Sequence, residues 1–379
     1  MRALPKPRQQ VLSHRCRAGT HVLSRGWWWL WTCCPGLGNA RMADLRRLCR
    51  DQAIGPDQLW GWPIERLGQA LAWPAHCLRD VERYRFEHGA APKLDVPACA
   101  LLPGDPGWPP CLDDVQAPPS GLYVEGDRSL LRHIHARTAI AVVGTRSASD
   151  HGLAMAEQLG RSLAEAGWPV LSGLAEGVDA AAHRGCLARN GAPIAVLGTP
   201  LDRVYPAHHR SLQQQVGRQG LLISPSRSGC RVRPGHFAAR NRWLVAFAQA
   251  LVVVECPQRS GALISARWAS RMQCPVWVVP GDARRWSCRG SNALLRDGAT
   301  ALIHPEDLLS SIGEGPLRSE ESRGKHQRLM AAIGSGATFD QLVLRLQCTP
   351  AELAPQLLAL ECQRELLCES GLHWRKPRP

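Results

Sequence analysis

Three short segments contain arginine, two of them together with glycine, in a way that suits the binding of a phosphate. They are Gly144-Thr145-Arg146, Arg240-Asn241-Arg242 and Arg259-Ser260-Gly261. The planar guanidinium of arginine donates paired hydrogen bonds to phosphate oxygens, and glycine lets an anion approach the backbone amides. A surface salt bridge is the alternative role for an arginine such as Arg146. The residue types therefore indicate an anion-binding site.

The side chains available for proton transfer do not form a catalytic set. Asp179 and His183 are four residues apart on one face of a predicted helix, but no nucleophile or metal ligand accompanies them. Asp179 is expected to cap that helix, and Glu255 to pair with Arg259. The loop at Gly144 lacks the dinucleotide fingerprint, and the chain has no Gly-x-x-x-x-Gly-Lys phosphate loop. We therefore expect no enzyme, no catalytic residue and no nucleotide cofactor.

The cysteines give no indication of a metal site. Fifteen of them are scattered over 379 residues, no Cys-x-x-Cys pair occurs, and Cys33 and Cys34 are adjacent, which is poor spacing for zinc. Reduced thiols in a cytoplasmic protein fit this pattern best. The apolar residues 27–31 are too few for a signal peptide or a membrane span, so no membrane association is expected.

Residues 234–242 place an aromatic ring among hydrogen-bonding side chains. Phe237 follows His236, and the basic and amide groups of residues 240–242 come one helical turn later. A base stacked on Phe237 would contribute about 1 to 3 kcal/mol. The alternative is that Phe237 and Trp243 belong to the core, while Asn241 caps the helix or holds the loop.

Six apolar runs must position these segments. They are residues 139–143, 169–172, 194–197, 221–223, 251–254 and 275–279. Alternation of such runs with amphipathic segments predicts parallel strands that are joined by helices and buried on both faces. We therefore predict an α/β fold, an extended Rossmann-like domain with a three-layer parallel sheet. The site would lie beyond the carboxyl ends of the strands.

Changes in composition divide the chain into five parts. Residues 1–25 are basic and lack periodicity, which predicts a disordered extension. Residues 26–95 have the leucine spacing of a helical domain, and residues 96–312 contain the sheet, with an edge strand expected at 122–124. The polar residues 313–325 predict a linker. Residues 326–379 have the pattern of three short helices and a hairpin, as in a winged-helix-like domain.

The chain carries a net charge of +14, and nearly all of its cationic residues are arginine. A charge of this sign and size favours an anionic partner, of which nucleic acid is the commonest. A GC-rich genome is the alternative explanation for part of the arginine excess.

Taken in order, the motifs resemble those of the DprA family, also called Smf, which comprises bacterial DNA-processing proteins of natural transformation. The resemblance covers about residues 103–309. It rests on Gly144-Thr145-Arg146, residues 172–183, Val204-Tyr205-Pro206, residues 234–237, Arg240-Asn241-Arg242, Arg259-Ser260-Gly261 and Val279-Pro280-Gly281.

This resemblance implies a protein that binds and protects single-stranded DNA and helps to load the RecA recombinase, without turnover. It also implies an N-terminal SAM-like or helix-hairpin-helix domain, a C-terminal winged-helix-like domain, and a homodimer formed through the Rossmann-like domain. The DNA-binding residues predicted on this basis are Gly144, Thr145, Arg146, Ser172, Gly173, His236, Phe237, Arg240, Asn241, Arg242, Arg259, Ser260, Gly261 and Gly281.

The chain departs from the pattern of the family in four places. Residues 225–230 replace a usual glutamate, aromatic and prolines, and residues 238–239 are alanines where a proline and a basic residue are usual. Glu176 stands where a basic or neutral residue is usual, and residues 246–248 replace Gly-Leu-Ser. DNA affinity or the shape of the groove is therefore expected to differ from that of the family.

Two other functions compete with DNA binding on the sheet. Phosphoribohydrolase-type enzymes of related fold bind nucleotides at the same sheet edge, but their Pro-Gly-Gly-x-Gly-Thr signature is absent here. A winged-helix transcription regulator would use residues 349–361 as its recognition helix. That segment holds Glu352 and Glu361 and no basic residue, which is unfavourable beside phosphates.

Overall fold

The computed structural model describes residues 18–113, 115, 118–362, 365–369 and 371–376. Five helices come first along the chain: α1 (Ala18–Cys33), α2 (Asn39–Asp51), α3 (Pro56–Trp60), α4 (Ile64–Leu71) and α5 (Ala75–His88). Their apolar faces enclose a core of large side chains without solvent exposure, Trp31, Met42, Leu45, Leu59 and Leu67. The predicted helical N-terminal region is therefore confirmed.

The start of this region differs from the prediction. Residues 18–25, expected to be disordered, form the first half of α1, whereas residues 1–17 lie outside the described residues. Arg25 donates from Nε to Asp105 Oδ1 at 2.9 Å and from Nη2 to the Ala100 carbonyl oxygen at 2.9 Å. Arg25, part of the basic composition that predicted disorder, thus links α1 to residues 100 and 105.

A sheet of nine strands forms the middle of the chain. The strands are β1 (Ala100–Leu101), β2 (Leu122–Gly126), β3 (Ile140–Val143), β4 (Val170–Ser172), β5 (Pro193–Val196), β6 (Leu221–Ser224), β7 (Ala250–Val253), β8 (Val276–Val278) and β9 (Thr300–Ala301). Their order is β1-β2-β6-β5-β4-β3-β7-β8-β9. The β1–β2 and β2–β6 pairs are antiparallel, and all the other pairs are parallel. All six apolar runs form strands, as predicted.

Helices cover both faces of this sheet. They are α6 (Leu131–His135), α7 (Asp150–Glu165), α8 (Val178–Leu187), α9 (Arg210–Gln219), α10 (Pro234–Ala246), α11 (Gly261–Arg271) and α12 (Arg289–Arg296). Alternate side chains of a strand point to opposite faces. Ile140 and Val142 accordingly pack in one core with α7 and α8, while Ala141 and Val143 pack in the other with α10 and α11. The predicted Rossmann-like three-layer α/β architecture is confirmed.

The sheet edges differ from the prediction in detail. β2 was expected at an edge, but the short β1 pairs outside it, with Ala100 opposite Tyr123. β1 and β9 are two residues long and were not predicted, because two residues show no detectable periodicity.

The predicted linker is helical for most of its length. α13 (Pro305–Ile312) is followed by α14 (Pro316–Ile333), so the linker prediction for residues 313–325 is wrong from Pro316 onward. The separate short helix expected at residues 326–333 is the second half of α14. Charged residues are as common on an exposed helix as in a linker, so composition did not distinguish the two.

The chain ends with α15 (Phe339–Leu346), α16 (Pro350–Cys362) and a small antiparallel sheet of β10 (Ala337–Thr338), β11 (Leu367–Glu369) and β12 (His373–Arg375). The two helices and the hairpin expected here are present. The winged-helix assignment and the division of the chain into domains stay predictions. Within the described ranges, no helix is both long enough and apolar enough to cross a lipid bilayer.

The close contact between α7 and α8 depends on two glycines. An added Cβ at Gly160 would collide with the Ala182 carbonyl oxygen, and one at Gly185 would collide with the Glu157 carbonyl oxygen. We therefore expect Gly160→Ala to lower the free energy of unfolding by about 1 to 3 kcal/mol, as overpacking does in protein cores. Urea denaturation followed by circular dichroism measures the change.

Gly324→Ala is the matched control, because Gly324 lies within α14 and an added Cβ meets nothing within 4 Å. The higher helix propensity of alanine should leave stability unchanged or raise it by up to about 1 kcal/mol. A Gly160→Ala protein as stable as the wild type would contradict the packing argument.

Candidate nucleic-acid interface

The order of the strands creates a crevice beside β3. The chain passes from β3 through β4 and β5 to β6 on one side, and then places β7 on the other side. In parallel sheets, ligands bind beyond the carboxyl ends of the strands where the order reverses in this way. A cavity of about 430 Å³, the main cavity, lies there between the loop after β3 and the loop after β7. The topology thus determines where the candidate site is.

The structure brings three of the predicted segments together around this cavity. They are the loop after β3, the first turns of α10, and the junction between β7 and α11. The predicted residues that line the cavity are Gly144, Thr145, Arg146, Phe237, Arg240, Asn241, Arg259, Ser260 and Gly261.

Arg146 is exposed at the rim of the cavity. Its guanidinium carbon lies 5.4 Å from the centre of the Phe237 ring, which in turn lies 5.0 Å from the centre of the Tyr205 ring. Phe237 is only half-buried and belongs to no core cluster of the described residues, which disfavours the core alternative for this residue. In such an arrangement the cation can bind a phosphate while the rings stack on a base of the same nucleic-acid strand.

Arg240 has a different environment from the one expected for a phosphate ligand. It is 4% exposed, and Nη1 donates to the carbonyl oxygens of Gly173, at 2.7 Å, and of Val196. Its Nε donates to Asn241 Oδ1 at 3.1 Å. Two of the three guanidinium nitrogens that could bind a phosphate are therefore already hydrogen-bonded within the protein. Arg240 supports the floor of the cavity instead.

Its neighbours also have structural contacts. Asn241 Nδ2 donates to the Gly261 carbonyl oxygen at 3.1 Å and so links α10 to the start of α11, which agrees with the alternative that Asn241 holds a loop. Arg242 lies over the Trp243 ring, 4.7 Å from its centre, and does not line the cavity. Trp243 is buried in the core, as the alternative for that residue proposed.

Other predicted residues lie near the cavity without lining it. Ser172 is buried, and its hydroxyl donates to the Val142 carbonyl oxygen at 2.6 Å. Gly173 lines a narrow cleft beside the main cavity, together with Tyr205. His236 lies in the first turn of α10 but lines neither space. Ser172 and His236 therefore have no contact with the cavity.

Ser260 caps α11, because its hydroxyl accepts a hydrogen bond from the Ala262 amide at 3.2 Å. That amide is therefore satisfied within the chain and is not available to an anion. Gly281 donates its amide to Asn292 Oδ1 at 3.1 Å and lines a different cleft, next to Glu255. The structure therefore separates Gly281 from the main cavity.

Asp179 and His183 do not form an acid-base pair. Asp179 accepts hydrogen bonds from the amides of Gly173, at 3.1 Å, and Ala175, at 3.4 Å, both in the loop before α8, so the prediction that it caps this helix is wrong. Burial raises the pKa of its carboxyl, an effect that the charge of Arg240 opposes. Neither ring nitrogen of His183 has a hydrogen-bond partner within the described chain, so the expected contact with Asp179 is absent there. Burial, with the nearby charges of Arg240 and His209, lowers the pKa of His183 to about 3.

Glu255 has a different partner from the one predicted. Its Oε2 accepts from the Ser149 hydroxyl at 2.7 Å and from the Ser149 amide at 3.2 Å, at the N-terminus of α7. The expected ion pair with Arg259 is therefore wrong. The loop after β7 carries Arg259 to the main cavity, whereas Glu255 turns towards α7.

Two exposed aromatic residues at the site were not predicted. Tyr205 is 50% exposed beside Phe237, and Trp286, which lines the main cavity, is 64% exposed. Tyr205 belongs to a motif that carried the family resemblance, so a signal for it was present. Trp286 lies in a 3₁₀ turn after β8, where no periodicity distinguishes it.

Comparison with known proteins agrees with the sheet and with the motifs around its carboxyl edge. A sequence model of the DNA recombination-mediator protein A family matches residues 100–313, more than half of the chain. The chain belongs to this family. The match spans the whole nine-stranded sheet and every residue that lines the main cavity.

Relatives within the family share about a third of their residues with this chain. Protein Smf of Escherichia coli is 31% identical over 284 residues, which cover 71% of this chain and 75% of that protein. Protein Smf of Synechocystis is 35% identical over 241 residues, 64% of this chain and 60% of that protein. The match thus spans about three fifths of the Synechocystis relative's length.

A solved structure of the family has the same fold. The X-ray structure of DNA processing protein A (DprA) from Streptococcus pneumoniae superposes with a TM-score of 0.65 at 25% sequence identity. The superposition covers 75% of this chain and 97% of that chain. It includes the mostly parallel sheet that forms the candidate site.

The departures from the usual family pattern have definite places in this structure. Ala238, at the position of the usual proline, lines the main cavity, whereas Ala239, at the position of the usual basic residue, does not. Glu176 borders the narrow cleft, and its Oε1 lies 3.3 Å from His208 Nε2. Arg227, within the unusual residues 225–230, donates to the Cys33 carbonyl oxygen at 3.4 Å and so contacts α1.

The buried His183 makes a testable contribution to acid sensitivity. The native protein keeps the ring neutral down to about pH 3, whereas an unfolded chain protonates it below about pH 6.5. Stability should therefore fall as the pH falls from about 6.5 towards about 3, by up to roughly 2 kcal/mol at about pH 5. We expect His183→Leu, which also removes two unpartnered buried nitrogens, to reduce this loss.

Urea denaturation of both proteins at about pH 7 and about pH 5 measures the effect. If His183→Leu loses as much stability on acidification as the wild type, His183 is not the neutral buried group that the structure shows.

Proposed function

We propose that this protein binds single-stranded DNA along the carboxyl edge of its sheet. The observation that carries the proposal is the grouping of Arg146, Phe237 and Tyr205 at a topological switch point of the sheet. Positive charge follows a phosphate backbone, and exposed rings stack on bases whatever the sequence. Stacking of this kind needs bases that are not already stacked in a duplex.

The cavity can hold a strand in two ways at once. Arg146 is exposed at the rim, and Arg259 lines the wall contributed by the junction of β7 and α11, so phosphates can be held from both sides. The main cavity and the narrow cleft share Arg146 and Phe237 and together form a groove, with the exposed ring of Trp286 in the cavity and that of Tyr205 in the cleft. The three rings therefore offer stacking positions along this groove.

The wider role follows from family membership. Relatives are described as DNA processing proteins, including one from Streptococcus pneumoniae. We propose that this chain likewise protects incoming single strands and helps to load RecA during transformation and recombination, as a homodimer formed through its Rossmann-like domain. The overall charge of +14 supports the binding of a polyanion.

We also propose that the protein acts without turnover. The carboxylate of Asp179 accepts from amides of the loop before α8, and Glu255 binds the start of α7. His183 is buried without exposed surface, so it cannot meet a substrate in this conformation. The phosphoribohydrolase alternative would need a base or nucleophile open to the cavity. Asp179 lines the main cavity, but it is only 6% exposed and its carboxylate already accepts from two loop amides, while Glu255 and His183 do not line that cavity.

The transcription-regulator alternative is less well supported. α16, the second helix of the predicted helix-turn-helix, carries Glu352, whose carboxylate accepts from the Thr349 hydroxyl at 2.8 Å as part of a helix cap. The described residues of α16 include no basic side chain, which disfavours its insertion against phosphates.

Arg146→Ala should weaken binding of single-stranded DNA irrespective of base sequence, because phosphate contacts do not read bases. The slope of log affinity against log salt should become less steep by about 0.7 for each phosphate that the variant no longer binds. Fluorescence anisotropy over a series of salt concentrations measures both changes. Arg296→Ala, at a 78% exposed arginine outside the cavity, is the matched control and should leave the slope unchanged.

An unchanged slope in a folded Arg146→Ala protein would remove Arg146 from the phosphate-binding residues. Equal affinity of the wild type for single-stranded and duplex DNA of the same length would contradict the proposed function as a whole.

Trp286→Ala should weaken binding by about 1 to 3 kcal/mol, the contribution of one stacked base. Phe86→Ala removes a ring that is 89% exposed on α5, outside the groove, and serves as the control. Anisotropy titrations of the two variants at one salt concentration measure the difference. Equal affinities for the two variants would show that Trp286 is not a stacking position.

A further inference from the structure

A second cleft opens at the same edge of the sheet, beyond the carboxyl ends of β7 and β8. Its volume is about 280 Å³, and Glu255, Val279, Arg285 and Cys288 are among its lining residues. None of these four residues lines the main cavity. The two spaces are nevertheless adjacent, because Arg285 faces the second cleft and the next residue, Trp286, faces the main cavity.

Glu255, which lines this cleft, has one buried acceptor without a partner among the described residues. The residue is 4% exposed, and Oε2 is bound by the hydroxyl and the amide of Ser149. Oε1 is buried and has no hydrogen-bond donor among the described residues. Buried polar atoms of folded proteins are almost always paired, so Oε1 indicates a site for an external donor.

Glu255 is also in the charge state that makes it an acceptor only. Burial raises the pKa of its carboxyl, but the Ser287 hydroxyl and the Ser149 groups lower it by more, so the pKa lies below its usual value. The Ser287 hydroxyl thus acts on the carboxylate, whereas Oε1 itself has no hydrogen-bond partner among the described residues. At neutral pH, Glu255 therefore accepts hydrogen bonds and donates none.

The other walls of the cleft suit one flat ring. Val254, Val279 and Pro280 provide apolar surface, and Arg285 is exposed at the mouth. The volume is slightly below the range of about 300 to 1,000 Å³ that is typical of sites for drug-sized ligands. A carboxylate at the edge of such a ring recognises an exocyclic amino group, as glutamate and aspartate do with cytosine.

We propose that the second cleft receives one unstacked nucleobase of the bound strand, whose exocyclic amino group donates to Glu255 Oε1. The inference rests on the proposed single-strand binding and adds a base preference to it. Cytosine, adenine and guanine each carry an amino group. Thymine instead directs carbonyl oxygens at the carboxylate, which repels them. Arg285 at the mouth binds the phosphate next to the inserted base.

The sharpest test compares strands of 5-methylcytosine and of thymine at equal length. The two bases share a ring and a methyl group, and position 4 carries an amino group in one and a carbonyl oxygen in the other. We expect the wild type to bind the 5-methylcytosine strand roughly 3- to 10-fold more tightly, as one additional hydrogen bond predicts. Anisotropy at mildly alkaline pH, where cytosine strands do not self-associate, measures the ratio.

Glu255→Gln tests the assignment to this residue. Glutamine keeps the shape and can still accept from Ser149, but its amide can donate to the thymine carbonyl oxygen, so the preference should vanish or reverse. Glu157→Gln, on the exposed side of α7, is the matched control and should keep the preference of the wild type. Circular dichroism confirms that the variants are folded.

Equal affinity of the wild type for the two strands would overturn the proposal, whether or not Glu255→Gln folds. A preference that persists in folded Glu255→Gln would also overturn it. Failure of the wild type to bind either strand would contradict single-strand binding itself, which separates that failure from the loss of base preference alone.

Discussion

The buried guanidinium of Arg240 holds the candidate site together. It donates to the carbonyl oxygen of Gly173, just beyond β4, and to that of Val196, the last residue of β5. One side chain of α10 is thus bound at the carboxyl ends of two neighbouring strands. An added Cβ at Gly173 would collide with the guanidinium, which explains the glycine there. Backbone carbonyls at the end of a strand need a donor, and a buried one cannot obtain it from bulk water. The arginine supplies it and fixes α10 across the sheet edge.

This arrangement assigns different tasks to arginines that look alike in the sequence. Because Arg240 is committed to the protein interior, α10 is held where Phe237, one turn earlier, reaches the cavity beside Arg146. Its charge also lies close to Asp179 and partly offsets the cost of burying that carboxyl. The phosphate contacts that we propose would therefore come from the exposed guanidinium groups of Arg146 and Arg259.

The same distinction explains how far the sequence alone could predict the structure. The six apolar strands and the location of the site were predictable, because burial on both faces leaves continuous apolar runs and parallel connections place the loops at one edge. The separate roles of Arg146 and Arg240 were not predictable, because the exposure of each side chain depends on contacts between segments that are distant in the sequence. The helix from Pro316 onward was also missed, because exposed helices and linkers share a polar composition.

α14 continues without a break for 18 residues, from the region of the sheet to the C-terminal helices. At about 1.5 Å per residue it forms a rod of about 27 Å. Its first turn is clamped to the sheet region, where the Leu317 amide donates to the Gly167 carbonyl oxygen at 3.1 Å. A flexible linker would allow the C-terminal unit to take many positions around the sheet. A continuous helix instead restricts both its distance from the sheet and its orientation. Any partner bound by that unit would therefore be held at a restricted distance and orientation from the sheet edge, where DNA binding is proposed.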